Sequence, residues 1–268
     1  MSELIDDSRT SAESALPDMS VRSGGHMESM RKTSVWLARD LANYISDSGL
    51  AEGTKLPNEL SMAQTFQVGR TTVREALRIL EMRGVITIRV GRGGGPVVRT
   101  PKTTDLAEAL GLILQFRDAT LADVIDARRM FEPVAARLAC GKATAADIEE
   151  MHVTVKKMLA DPGNDASFSL ENARFHSLIS DSVQNPAIST LIDSLKFVHD
   201  GRPFGIRYSP PHVKAVAKAH LAIVAAIESG DADAAEEAMR AHLDEAKRYW
   251  SRRFTDVYNR PLRWINGD

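Results

Sequence analysis

From Val35 onward apolar residues recur at helical spacing and then, past Gly84, in strand-like runs. Leu37, Leu41, Tyr44 and Ile45 mark one face of an amphipathic helix that Gly49, Gly53 and Pro57 bring to an end. A short helix is expected at NELSMAQTF. A third lies in VGRTTVREALRILEMRG, Val68 to Gly84. At about 100° per residue, Val73, Ala76, Leu77 and Leu80 fall on one side of that helix, while Arg70, Arg74 and Arg78 form a separate stripe. Gly84 stands where a helix C-cap places glycine. In GVITIRVGRGGGPVVR the period changes: two β-branched runs flank a Gly-rich turn, the signature of a hairpin. Residues 33–100 therefore read as helix, helix, turn, helix and hairpin, and 101–105 as a linker. Beyond Asp105 the chain reads as six or seven helices with no convincing strand, which predicts an antiparallel all-α bundle over 106–250 and a C-terminal extension at 251–268. Residues 1–32, rich in Ser, Asp, Glu and Gly without a sustained apolar period, read as a disordered tail.

The chain of 268 residues has room for two modest domains, and its 43% hydrophobic content suits globular cores. It contains no apolar run long enough for a membrane span and no basic-then-apolar N-terminal signal, so a cytoplasmic location is expected. The single cysteine, Cys140, excludes an internal disulfide and a cysteine-based structural zinc site. Lys plus Arg total 34 against 36 for Asp plus Glu, a formal net charge of −2 with no global sign of a nucleic-acid partner. The distribution changes that picture. Between Thr33 and Thr100 nine cations face six anions, so the basic region coincides with the three helices and the hairpin.

That coincidence points to double-stranded DNA. A docked apolar face lets the arginine stripe project, and the major groove admits a helix whose arginines pair with guanine edges or phosphate. Arg70, at the N-terminal end of its helix, lies where unpaired backbone N–H groups favour phosphate. Thr71 and Thr72 add short hydroxyls suited to backbone contacts. Arg89 and Arg92 flank a hairpin tip that, with Gly94 and its neighbours, is slim enough to approach phosphate or the minor groove. The competing reading of the stripe is a solvated cationic face with Arg74 and Arg78 paired to Glu75 or Glu81.

In the helical half, polar residues interrupt apolar stripes. Val213, Val216, His220, Val224 and Ile227 place His220 among core positions; Ala235, Met239, His242, Ala246 and Tyr249 do the same for His242. Phe168, Asn172, Phe175 and Ile179 form a third stripe, with His176 one turn after Asn172. Three imidazoles and an amide directed inward from three helices suit a divalent metal, zinc or nickel foremost, with open positions for water or an effector. Arg128 sits in the stripe Leu121, Val124, Arg128, Phe131, Ala135 and Leu138, where a guanidinium requires an anion. Glu132 at i+4 is one partner and a carboxylate effector is the other.

KLPNELSMAQTFQVGRTTVREALRILEMRGVI followed by GRGGGPVV resembles the winged helix-turn-helix of GntR-type transcription regulators. DARRMFEPVAARLA, ENARFHSLISDSVQNPAI and KAHLAIVAAIESGDADAAEEAMRAHL resemble the FCD effector domain of the FadR-like branch. The resemblance implies that Arg70 and Arg74 contact an operator, that Leu60 stands where many members carry an arginine, and that Gly69 replaces the usual Ser or Thr. It also implies a divalent metal at His176, His220 and His242, with Asn172 in place of the usual aspartate, and a carboxylate effector completing the site. The expected protein is a ligand-responsive regulator, more often a repressor, that binds a palindromic operator as a homodimer. The alternative is a metal-dependent hydrolase using the histidine pocket. It lacks an obvious carboxylate base beside the histidines and has no use for the N-terminal reader.

Overall fold

The computed structural model describes residues 28–91, 93–198 and 207–263; the expected tail up to residue 27, Arg92 and the final residues lie outside them. The chain divides into two compact units, Met1–Asp105 and Leu106–Asp268. The first holds helices α1 (Glu28–Asp47), α2 (Glu59–Thr65) and α3 (Arg70–Met82), then strands β1 (Ile86–Arg89) and β2 (Gly95–Val98). Helix α1 begins at Glu28 rather than Val35. Its first turns, ESMRKT, contain no helix breaker but too few apolar residues to display a period.

Leu37, Leu41 and Ile45 of α1 meet Val73, Leu77 and Leu80 of α3, and Met62 and Ile86 close the core. Asn58 caps α2 by accepting from the Leu60 and Ser61 amides. Helix α3 ends on Gly84 at φ +71°, where the Val85 amide donates to Leu80 O and the Gly84 amide to Glu81 O. β1 and β2 pair antiparallel from Ile86 opposite Val98 to Arg89 opposite Gly95. The expected helices and hairpin are thus present, and the hairpin forms the wing of a winged helix-turn-helix.

Helix α4 (Thr103–Gln115) starts within the residues expected to form a linker. The second unit continues with α5 (Leu121–Ala139), α6 (Ala145–Ala160), α7 (Asp165–Ser182), α8 (Pro186–Val198), α9 (Pro210–Ser229), α10 (Ala232–Arg253) and α11 (Thr255–Tyr258). Sequence-local chemistry sets the boundaries. Thr120 with Asp123 and Thr144 with Asp147 form capping boxes, Asn164 and Asp231 cap α7 and α10, and Gly230 ends α9 in the left-handed conformation.

Ion pairs give the helix directions. Asp126 meets Lys247 at 2.6 Å, Arg129 meets Asp244 at 2.6 Å, and Arg137 meets Asp233, so position rises along α5 as it falls along α10. Lys157 with Glu171 and Arg174 with Glu150 show the same for α6 and α7. The antiparallel bundle closes over Ala136, Met151, Phe175, Ile179, Ile223, Val224, Met239 and Leu243. The C-terminal residues belong to this unit up to Leu262 rather than extending from it: Tyr258 packs with Leu121, Ile125 and Trp250, and the Leu262 amide donates to Ala119 O at 2.8 Å. The expected α5 stripe is also corrected. Phe131 and Leu138 face outward, and the buried seam is Leu121, Val124, Ile125, Arg128, Glu132, Ala135, Ala136 and Ala139. Among the described residues no helix is long and apolar enough to cross a membrane.

Candidate functional site

In the first unit the segregation expected on α3 holds. Val73, Ala76, Leu77 and Leu80 are buried, while Arg70, Thr71, Arg74 and Arg78 are exposed. Thr72 departs from its expected role: it is buried, because its position turns it toward the core side, and only Thr71 offers an accessible hydroxyl. Arg74 is engaged across helices, its Nη2 donating to Glu59 Oε2 at 2.9 Å and its Nε to Oε1 at 3.3 Å. Neither residue expected to neutralise it does so. The hydrogen bond from Arg74 holds the Glu59 carboxyl below its usual range. Arg78 pairs with Glu75 at 2.9 Å. Gly69, at the N-cap of α3, supplies no side-chain hydrogen bond, so the first amides of that helix remain open to an external acceptor.

Arg89, at the end of β1, is exposed, and Arg92 lies outside the described residues. Lys55 donates from Nζ to Gly93 O at 2.7 Å, fastening the wing tip, a tie that sequence reasoning missed because it joins residues far apart in the chain. Gly94 is half-buried, and its role is steric: a Cβ there would lie 2.2 Å from Arg89 O. Gly94→Ala must therefore remodel the turn and move Arg89. The expected outcome is about a tenfold weaker duplex affinity, ~1.4 kcal/mol, in fluorescence anisotropy with unchanged far-ultraviolet circular dichroism. Unchanged affinity would remove the wing from the interface.

In the second unit the three expected histidines come together. The donor atoms of His176 on α7, His220 on α9 and His242 on α10 all lie within 4.8 Å of one another, and all three residues are buried. His176 Nε2 and His242 Nε2 are 3.3 Å apart. His220 stacks on Phe175 with ring centroids 3.7 Å apart, and neither of its nitrogens has a hydrogen-bond partner. Asn172 stands one turn before His176 and is half-buried. Burial lowers the His242 imidazole to about 3 and holds His220 well below its ordinary value, the neighbouring positive groups adding to the effect. Burial likewise lowers His176, against the opposing pull of Glu132. The cluster therefore presents neutral imidazoles at neutral pH, the state in which they ligate metal.

Behind the cluster sits a residue whose second role sequence reasoning missed. Glu132 is buried between Arg128, with Nε 2.5 Å from Oε1, and His176, with Nδ1 2.5 Å from Oε2. The histidine contact is short but poorly aligned for a hydrogen bond. A carboxylate this close to Nδ1 favours the tautomer protonated there, which would leave the Nε2 lone pair on the side of His242. Burial alone would raise the Glu132 carboxyl, but Arg128 and His176 together hold it well below the usual carboxylate range. Of the two partners expected for Arg128, an effector carboxylate and Glu132 at i+4, Glu132 is the one that meets its Nε. Only spatial proximity of α5 and α7 reveals the link to His176. On α8, Lys196 is also buried, donating to Ser177 Oγ at 2.6 Å and pairing with Asp193.

The orphaned nitrogens of His220, the facing Nε2 atoms and the carboxylate behind His176 fit a divalent metal, whose histidine ligands ordinarily hold their second nitrogen on such a partner.

Comparison with known proteins places both features. Residues 34–94 match the family described as bacterial regulatory proteins, gntR family, and residues 123–245 match the FCD domain. The HTH-type transcriptional repressor NanR of Citrobacter rodentium is 28% identical over 224 residues, covering 82% of this chain and 86% of that protein. The HTH-type transcriptional regulator LutR of Bacillus subtilis is 26% identical over 204 residues, covering 74% of this chain and 92% of LutR. A solved Streptococcus agalactiae GntR structure shares the fold with a TM-score of 0.63 at 24% identity, covering 80% of this chain and 99% of that one. A helix-turn-helix reader followed by an effector-binding helical domain defines a transcription regulator. This chain belongs to the GntR family, in its FCD branch. The hydrolase alternative falls with that assignment, since these relatives are regulators.

Proposed function

We propose that the protein binds a palindromic operator as a homodimer and acts as a repressor whose hold on DNA responds to a small carboxylate-type effector bound at a divalent metal. The α3 arginines Arg70 and Arg74 enter the major groove, with Thr71 and Arg78 on the flanking backbone and the wing, through Arg89 and Arg92, on adjoining phosphates. Met130, Phe131 and Val134 on the outward face of α5 are exposed, an apolar surface that suits a second copy of the same unit. His176, His220 and His242 hold the metal, zinc or nickel, with Asn172 contributing an amide oxygen. Arg128 acts indirectly, by keeping Glu132 charged behind His176. Effector binding shifts the DNA-binding equilibrium only as far as the ligand prefers one arrangement of the dimer over another.

The observation that carries the metal-dependent reading is the pair of buried, unpartnered nitrogens on His220. Full-length protein stripped with chelator, reloaded with nickel or zinc and freed of excess should retain about one ion per chain by elemental analysis. His220→Ala should retain almost none. A wild-type protein that emerges without metal would defeat this reading. Selection from random duplexes should enrich inverted repeats, and enrichment of single half-sites would argue against the dimer.

A further inference from the structure

The cations of the first unit differ in what already holds them. Arg74 carries Glu59, Arg78 carries Glu75, and Arg99 donates to Asp105 Oδ1 at 2.9 Å. Lys55 is held otherwise. Its Nζ donates to Gly93 O at 2.7 Å, a neutral backbone carbonyl, and among the described residues no ion pair engages it. The wing has nothing to neutralise it with, since residues 85–99 contain no aspartate or glutamate.

Backbone pairing explains how a residue so far back in the chain reaches the wing. Residues 53–56 run along the free edge of β2: the Gly53 amide donates to Val98 O at 2.9 Å, the Val98 amide to Thr54 O at 2.8 Å, and the Leu56 amide to Pro96 O at 2.9 Å. Lys55 therefore stands opposite Val97, and its stem passes Gly95, where a Cβ would lie 4.0 Å from Lys55 Cε. Open space lies around the glycines beyond: a Cβ at Gly91 or at Gly93 would meet nothing within 4 Å. A lysine ammonium has three N–H donors. Gly93 O takes one, so this exposed residue keeps two donors and its charge for an acceptor from outside.

We propose that Lys55 is a DNA-backbone contact in its own right, its ammonium bridging Gly93 O and a phosphate oxygen, so that one side chain both sets the wing tip and grips the duplex. The inference rests on the operator-binding reading above and deepens it, adding an anchor that belongs neither to the recognition helix nor to the hairpin. A phosphate is the acceptor that fits. A compact point charge binds phosphate without the planar fork that arginine uses, and a slim glycine tip lets the backbone of the duplex come close.

The test uses full-length protein and fluorescence anisotropy on a selected operator across a salt series, with Lys55→Met, Lys55→Gln and Lys55→Arg. Lys55→Met removes both the tie to Gly93 and the charge, and Lys55→Gln keeps a donor for Gly93 O without the charge. Each should weaken binding about fivefold to tenfold and flatten the plot of log affinity against log salt by about 0.9 per contact, hence about 1.8 for a two-fold complex. Lys55→Arg should keep the wild-type slope. Operators carrying one neutral methylphosphonate linkage at a time then locate the contact. In each half-site one linkage should weaken the wild type about fivefold and leave Lys55→Gln unaffected, as expected when protein and phosphate changes remove the same interaction. A lysine that only holds the wing predicts otherwise: Lys55→Gln would keep the wild-type slope, and every linkage would matter equally to both proteins. Either result would overturn the proposal, as would wild-type affinity in Lys55→Met. A wild type without salt-dependent affinity for any duplex would remove the operator reading itself, and this inference with it.

Discussion

Arg74→Ala is expected to lower affinity for a selected operator by about 100-fold or more, and Arg70→Ala by a somewhat smaller factor, because the proposed two-fold dimer would lose each contact twice. The larger effect falls on Arg74 for a reason visible in the structure. Its removal leaves Glu59 without its bidentate partner, on the surface proposed to face DNA phosphates. The double variant Arg74→Ala with Glu59→Gln should therefore recover part of the loss. Both arginines are exposed, so thermal stability and circular dichroism should be unchanged. Anisotropy measured across a series of salt concentrations separates the roles. Loss of a phosphate contact lowers the salt slope by about one per contact, whereas loss of a base contact leaves the slope and relaxes sequence preference. Affinities equal to wild type for both variants would remove α3 from the reader.

The second large effect lies in the other unit. Glu132→Ala takes the anion away from Arg128 and from His176 at once. Stranding one member of a buried pair costs about 3–5 kcal/mol, readable as a lower urea midpoint for the effector unit. Metal affinity should fall by about 10-fold to 100-fold as His176 loses the group that fixes its tautomer. The double variant Arg128→Met with Glu132→Leu separates the two losses. It should recover most of the stability, because no unpaired charge remains, while metal affinity stays low. Recovery of both properties together would show that Glu132 serves packing alone. The pH dependence follows from the direction of the carboxyl shift. With Glu132 held well below its ordinary 4.5, its stabilisation is fully present above that value and is lost as acidification passes the depressed folded value.

Local chemistry made much of this fold legible. The arginine stripe and the apolar stripe of α3 differ in angular position on one helix, and periodicity detects that directly. The hairpin announces itself by β-branched runs around glycines, and the histidines by interrupting apolar repeats. What escaped has a common physical character. Glu59 reaches Arg74 from another helix, Lys55 ties the wing through a backbone carbonyl, and Glu132 bridges α5 to α7; each depends on two elements being placed side by side. Lys196 hides because its aliphatic stem is compatible with a buried helix face, leaving no break in the pattern. Tyr258 and Leu262 were unreadable because the four-residue helix α11 and the few residues after it are too short to define a period. The outward turn of Phe131 was likewise invisible, since α5 carries apolar residues around most of its circumference.

The clasp between Arg74 and Glu59 also bears on how the regulator finds its target along a chromosome. Any random stretch of duplex attracts arginine through its phosphates, and proteins with bare cationic helices linger wherever they land. Here the guanidinium of Arg74 already carries a carboxylate, which lowers its net pull on a random phosphate. On the proposed reading, a guanine edge reached by Arg74 while Glu59 still holds it would gain a pre-aligned donor, which sharpens the contrast between target and background.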